Sequence, residues 1–207
     1  MATALEIVRV SKTYAGPPLF TDLSLTVTQG LVAVSGRNGS GKTTLLKILA
    51  GLGRPSGGTV RVLSEGRELA GDARRLAVGW TGPDLAFYED FTAGENLGFF
   101  RRAAGRPAPE HELTRRLEDV GLAGAALSRR VGEFSTGMRQ RLRLAFAALF
   151  DPEILLLDEP TLGLDAEGHA SAARLVAAQR ARGIVIVASN DERDFVKPDQ
   201  SVALGRP

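Results

Sequence analysis

Gly36, Gly41, Lys42 and Thr43 stand in the pattern Gly-x-x-x-x-Gly-Lys-Thr, directly after the apolar run Leu31-Val32-Ala33-Val34. Glycines allow the backbone to wrap closely, turning successive amide hydrogens inward as a nest for phosphate oxygens. A helix starting near Lys42 adds the positive end of its dipole at the same place. Lys42 is expected to reach the β- and γ-phosphates of a nucleotide, and Thr43 to offer its hydroxyl to Mg2+. Gly36, Arg37, Asn38, Gly39, Ser40, Gly41 and Thr44 complete the expected cradle. A glycine-rich turn can match this pattern by chance, and the strand before and helix after are the context that favours phosphate.

A second chemical group ends the run Ile154-Leu155-Leu156-Leu157, which is followed by Asp158 and Glu159. A carboxylate at such a strand end suits Mg2+ beside a phosphate loop, a role expected of Asp158. Glu159 is then placed to polarise the attacking water. Paired acids after a strand are otherwise a common solvated strand end, and the phosphate loop upstream reverses that balance. A third group, Phe134-Ser135-Thr136-Gly137-Met138, precedes the helical pattern Arg139-Gln140-Arg141-Leu142-Arg143-Leu144. Ser135 is suited to cap that helix, and the amides near Gly137 to face an anion.

In order and spacing, residues 36–44, 134–141, 154–160 and 163–165 resemble the ATP-binding subunit of ATP-binding-cassette (ABC) transporters. Phe134 to Met138 stands where that family has Leu-Ser-Gly-Gly-Gln, and Gly163-Leu164-Asp165 is similar to its D-loop. Tyr14 is similar to the aromatic residue that stacks on adenine, although a strand-end aromatic packed on the sheet reads the same way. The resemblance implies ATP and Mg2+ as ligands and hydrolysis as the reaction. It implies a P-loop NTPase (RecA-like) core of α/β class, with an antiparallel β subdomain and an inserted helical subdomain. It also implies that Ser135, Thr136, Gly137, Met138 and Asp165 serve a nucleotide held by a second ATP-binding domain. Only one copy of each motif is present, so a second domain, most simply a second copy, is the expected partner, together with a transmembrane permease subunit.

Two positions depart from the family. After a strand expected over Leu76 to Trp80, the family places a glutamine that touches metal and water, yet the glutamines here are Gln29, Gln140, Gln179 and Gln200. Pro83 takes the slot and can neither bind Mg2+ nor donate a hydrogen bond; Asp84 beside it could substitute as an oxygen ligand, but reads more readily as a solvated loop acid. After Ile184 to Val187 the family has a histidine, and here Asn190 stands instead, while His111 and His169 lie elsewhere. Asparagine can donate to a phosphate oxygen but carries no charge. Glu159, Lys42 and Asn190 are therefore the expected catalytic set, with Thr43 and Asp158 for the metal.

The elements that must position these groups follow from periodicity. Residues 4–10 and 19–28 alternate apolar with polar and suit antiparallel strands. The runs at 31–34, 154–157 and 184–187 are apolar throughout, as in a parallel sheet covered on both faces. Helical patterns follow at about 42–50 and 166–182, and others lie near 92–104, 109–121 and 137–150. The expected division is one ATPase domain over 1–207, with core and β subdomain at about 1–82 and 151–207 and a helical subdomain at about 83–150. Arg139, Arg141 and Arg143 read as a solvated helix face.

Composition narrows the classes. The chain has 207 residues, 43% hydrophobic, 24% charged and a net charge of +2, the profile of one ordinary globular domain. No basic stripe interleaved with aromatics points to nucleic acid. The absence of cysteine excludes disulfides and thiolate sites. The first residues lack the order of a signal peptide, and the longest apolar run, Leu144 to Phe150, has seven residues against the ~18 a membrane-spanning helix needs. The expected location is cytoplasmic, peripheral at the membrane through a partner. Among family members, size and the segment Pro83 to Leu97 resemble exporters, nearest the haem-exporter and cytochrome c maturation branch. A non-transport mechanical ATPase would need long heptad runs, which are absent; a regulatory nucleotide-binding module with little turnover is the other alternative.

Overall fold

The computed structural model describes residues 3–191 and 197–205. A five-stranded parallel sheet has the order β6 (Val78–Thr81), β7 (Ile154–Asp158), β8 (Ile184–Ala188), β3 (Gly30–Ser35), β9 (Gln200–Ala203). A four-stranded antiparallel sheet has the order β2 (Phe20–Val27), β1 (Thr3–Lys12), β4 (Gly57–Ser64), β5 (Arg67–Glu68). Helices α1 (Lys42–Leu49) and α2 (Gly71–Ala77) precede β6, and α3 (Ala93–Ala103), α4 (Glu110–Asp119) and α5 (Thr136–Ala147) lie between β6 and β7. Helix α6 (Ala166–Arg182) joins β7 to β8.

The continuous apolar runs have a direct cause. Side chains alternate faces along a strand, and both faces of the parallel sheet are covered. Val32, Val34, Ile154, Leu156, Ile184 and Ile186 face a core built with Leu45, Leu46 and Leu49 of α1 and Leu5, Ile7 and Val10 of β1. Leu31, Leu155, Leu157, Val185 and Val187 face the other core, with Leu97 of α3, Leu117 of α4, Leu142 and Leu144 of α5 and Ala172 of α6. A half-exposed strand would show alternation, as β2 does with its exposed Ser24 and Thr26 between Leu23, Leu25 and Val27.

Register then fixes what meets at the strand ends. Ala188 pairs with both Val34 and Asp158, so the start of the 36–41 loop and the acidic end of β7 lie at one level. Thr81 pairs with Leu157, one residue before Asp158.

Three features differ from the expectation. The strand placed at Leu76 begins at Val78, because Leu76 and Ala77 close α2. Strands β4 and β9 extend the two sheets through segments that periodicity left unassigned. The arginines of α5 are not a solvated face. Arg141 is buried, donating to the Val120 and Gly121 carbonyls at 3.2 Å and to Asp165 at 2.6 Å. Arg139 reaches Glu89 and the Gly132 carbonyl, and Arg143 the carbonyls of Pro83 and Leu85. No helix among the described residues is long and apolar enough to cross a membrane.

Strand β6 leads into the Pro83 loop and lies tightly under α5. A Cβ on Gly79 would stand 1.9 Å from the Ala147 carbonyl oxygen and 2.7 Å from Pro152. Gly79→Ala is expected to destabilise the fold by about 1–3 kcal/mol, the usual cost of overpacking. A urea midpoint equal to wild type would contradict this packing.

Candidate functional site

Residues 36–41 turn the chain from β3 into α1. Gly41, at the N-cap of α1, has φ 100°, and Gly36 has φ 149°; a Cβ on Gly36 would meet the Leu204 carbonyl at 2.2 Å. Only glycine is tolerated in that backbone with that neighbour. Arg37, Asn38 and Gly39 form the exposed crest of the loop, and the Ser40 amide donates to the Arg37 carbonyl at 3.0 Å. Lys42, Thr43 and Thr44 begin α1, so their orphan amides point back into the loop.

Lys42 is buried at 7% exposure, and its Nζ donates to the Gly36 carbonyl at 2.7 Å and to Asn190 Oδ1 at 3.0 Å. Asn190 uses all its polar side-chain atoms. Its Nδ2 donates to Asn38 Oδ1 at 2.8 Å and to Glu159 Oε1 at 3.0 Å, and its amide to the same carboxylate at 3.2 Å. Ser189 Oγ donates to Glu159 Oε2 at 3.0 Å. The three expected catalytic residues therefore form one hydrogen-bonded knot. Asn38, Glu159, Leu162, Asn190 and Asp191 line a cavity of about 590 Å³ above it.

Asp158 lies below the knot, buried at 3% exposure. Burial pushes its carboxyl above the usual range; a hydrogen bond from Thr43 opposes that, the Glu159 charge adds to it, and Lys42 and Lys47 pull it back. Asp158 Oδ2 has no partner, and neither has the buried Ser40 Oγ. A buried polar atom without a partner is costly in a folded protein. An oxygen-only pair, Thr43 and Asp158, with one carboxylate oxygen unpaired, fits a hard divalent cation such as Mg2+. An open nest of amides with an orphan hydroxyl fits a phosphate chain.

The remaining expected residues lie apart. Ser135 caps α5, its Oγ accepting from the Met138 amide at 3.2 Å, and Ser135 and Thr136 are exposed. Gly137 and Gly163 are held in close approach, with a Cβ on Gly137 falling 3.0 Å from the Gly163 carbonyl. Among the described residues no hydrogen bond links Ser135–Met138 to residues 36–44. Asp165 caps α6 through the Gly168 amide at 2.8 Å and pairs with Arg141. Tyr14 is 60% exposed, with Lys12 Nζ 4.5 Å from its ring centroid. Asp84 is exposed, as expected of a solvated loop acid, and is ion-paired with Lys47 of α1. Sequence reasoning missed Ser189 and Gln140. Gln140, 5% exposed, donates to the Glu159 and Pro160 carbonyls at 3.1 and 3.0 Å.

Asp165 allows a stability test. The Gly168 amide, and beside it Arg141, hold its carboxyl below the usual range against a smaller opposing effect of burial. A depressed folded value means stabilisation that is present above the unfolded value, about 3.9 for aspartate, and lost as pH falls through the folded value. Asp165→Ala is expected to lower Tm by a constant amount between pH 8 and pH 5. The gap is expected to narrow only below about pH 4; a gap that closes near neutrality would contradict the assignment.

Comparison with known proteins places this geometry. The family model described as "ABC transporter" matches residues 20–162. An Fe(3+) ions import ATP-binding protein of Rhodococcus jostii is 36% identical over 100% of this chain and 60% of its own length. The Nod factor export ATP-binding protein I of Sinorhizobium fredii is 37% identical over 78% of this chain and 48% of its own length. The chain thus spans about half to three fifths of these relatives. A solved structure described as an ATP binding subunit of an ABC transporter superposes with a TM-score of 0.82 at 28% identity, over 97% of this chain and 85% of that one. These names give the haem-exporter and cytochrome c maturation branch no support. With the phosphate loop, the acidic strand end and the capped signature helix in family order, and with more than half its length matched by the family model, the chain belongs to the ABC transporter family.

Proposed function

We propose that this chain is the ATP-binding and hydrolysing motor subunit of a membrane transporter. The observation that carries this reading is the convergence of Lys42 and Thr43, on the helix that follows β3, with Asp158 and Glu159, at the end of β7, the two strands that flank β8. In the working site, Lys42 exchanges the Gly36 carbonyl and Asn190 for β- and γ-phosphate oxygens of ATP. Residues Gly36 to Thr44 wrap the phosphates with main-chain amides, and Tyr14 stacks on the base. Thr43 and Asp158 would hold Mg2+, which would supply charge neutralisation to the phosphate chain. Glu159 orients a water and takes its proton as the water oxygen attacks the γ-phosphorus and the bond to the ADP oxygen breaks. Before that attack Asn190, released by Lys42 as ATP binds, turns its Nδ2 from Glu159 to the γ-phosphate, orienting it without acid–base work.

The exposed Ser135 and Thr136, far from this chain's own phosphate loop in the hydrogen-bond network, suit a phosphate held by a second copy. Ser135, Thr136, Gly137, Met138 and Asp165 would complete that copy's site in a head-to-tail dimer. A permease subunit is the partner we infer for the segment 83–97, which would keep the chain at the cytoplasmic face of the membrane. Tyr88 and Phe91 are exposed there at 49% and 39%, while Phe87 is packed edge-on to Phe146. Export is the direction we propose, on the likeness of the Phe134–Met138 segment to exporters and on the Nod factor export relative. Import is the second reading, favoured by the ferric-ion relative that aligns along the whole chain; identifying the co-purifying membrane subunit separates them.

Steady-state ATPase assays test the motor reading. Glu159→Gln is expected to lower kcat by roughly 100-fold or more, the scale of losing a positioned base. Asn190→Ala is expected to leave measurable turnover. Wild-type rates in Glu159→Gln together with none in Asn190→Ala would overturn the assignment, and absence of turnover in wild type would leave a nucleotide-binding regulator. For the partner surface, Tyr88→Ala is expected to reduce co-purification of the membrane subunit at unchanged Tm, whereas Phe87→Ala lowers Tm. Unchanged co-purification of Tyr88→Ala would remove that surface.

A further inference from the structure

Glu159 keeps a left-handed backbone, φ 48°, which a residue with a Cβ adopts only when its surroundings impose it. Its amide donates to the Ala188 carbonyl at 2.8 Å, and its own carbonyl and that of Pro160 both accept from Gln140 Nε2. Gln140 is held in turn. Its Oε1 accepts from Arg143 Nη1 at 3.3 Å, while Arg143 Nη2 reaches the Pro83 carbonyl at 3.1 Å and Nε the Leu85 carbonyl at 3.2 Å. All three guanidinium nitrogens are therefore used, in a planar fork whose angles are fixed. Pro83 has a fixed φ, so its carbonyl turns only about ψ. Asp84, between the two bonded carbonyls, is fastened to Lys47 on the helix that begins at Lys42.

We propose that Arg143 and Gln140 are positioning residues that hold Glu159 in its working orientation by a hydrogen-bonded line from the Pro83–Leu85 loop to the Glu159–Pro160 main chain. The inference rests on the ATPase reading above. The line runs through one face of α5, with Gln140 and Arg143 three residues apart and so adjacent on the helix. It joins the loop after β6 to the end of β7 although no glutamine stands in that loop. The hydrogen bonds of Arg143 go to Gln140, Pro83 and Leu85 and not to the Lys42–Asn190–Asn38 cluster, so its effect falls on Glu159 and not on nucleotide affinity.

The test uses the full chain and its variants Arg143→Lys, Gln140→Asn and the double variant. A lysine keeps the charge but cannot serve three acceptors in one plane. Each is assayed for kcat and KM with MgATP, for binding of a fluorescent ATP analogue, and for Tm. Each single variant is expected to lower kcat roughly 10-fold to 100-fold, the scale of a misplaced catalytic group, with KM and analogue affinity unchanged. Because the two act in series, the double variant is expected to be no slower than the slower single. Wild-type kcat in Arg143→Lys, a rise in KM matching the fall in kcat/KM, losses that multiply in the double variant, or a lowered Tm with kcat intact would each overturn the proposal. A wild-type chain without turnover overturns the ATPase reading and the proposal together, whereas robust wild-type turnover with an indifferent Arg143→Lys overturns this proposal alone.

Discussion

The fixed register of three buried parallel strands is the constraint on which the rest of the molecule depends. Strand β8 pairs with β3 on one side and β7 on the other, so Ala188 lies level with both Val34 and Asp158. Two apolar cores, one on each face, hold that register, because a slip of one residue would exchange the faces of every side chain in the strand. All the polar chemistry collects where the strands stop. Gly36 to Lys42 continue β3, Glu159 follows β7, and Ser189 and Asn190 follow β8.

At that edge the charges are only partly matched inside the chain. Lys42 is a buried cation whose acceptors are one carbonyl and one neutral amide, not a carboxylate. Asp158 is a buried acid with an oxygen left over. A cation and an acid each short of partners, a few residues from open amides, make a site that gains by taking in an anion chelated to a metal. Asn190 stands between Lys42 and Glu159 and satisfies both. It can do so at any pH, which a histidine in its place could not.

Much of this was legible in the sequence. The phosphate loop, the acidic strand end and the signature cap are local patterns, and each lies where its pattern places it. The unbroken runs at 154–157 and 184–187 declared a sheet covered on both faces. The parts that stayed hidden are those set by tertiary contact. Arg141 and Arg143 look like any surface arginine, since nothing local announces the Asp165 carboxylate or the carbonyls of Pro83 and Leu85 that engage them. Strand β9 was unreadable because Gln200 and Ser201 break its apolar pattern at an edge of the sheet. Leu76 and Ala77 continue the apolar run of β6 and so hid the end of α2. Ser189 escaped notice because a hydroxyl after a strand carries no signal until Glu159 is seen beside it.

On the proposed reading Lys42 is the cation that receives the nucleotide phosphates, with Gly36, Asn190 and Glu159 arranged around it. Calorimetric titration of the wild-type chain and of Lys42→Ala with MgATP tests this most directly. Wild type is expected to bind one nucleotide per chain, and Lys42→Ala to bind at least about 10-fold more weakly, the scale of losing a charged hydrogen bond. Equal affinity in the two proteins would contradict that role for Lys42.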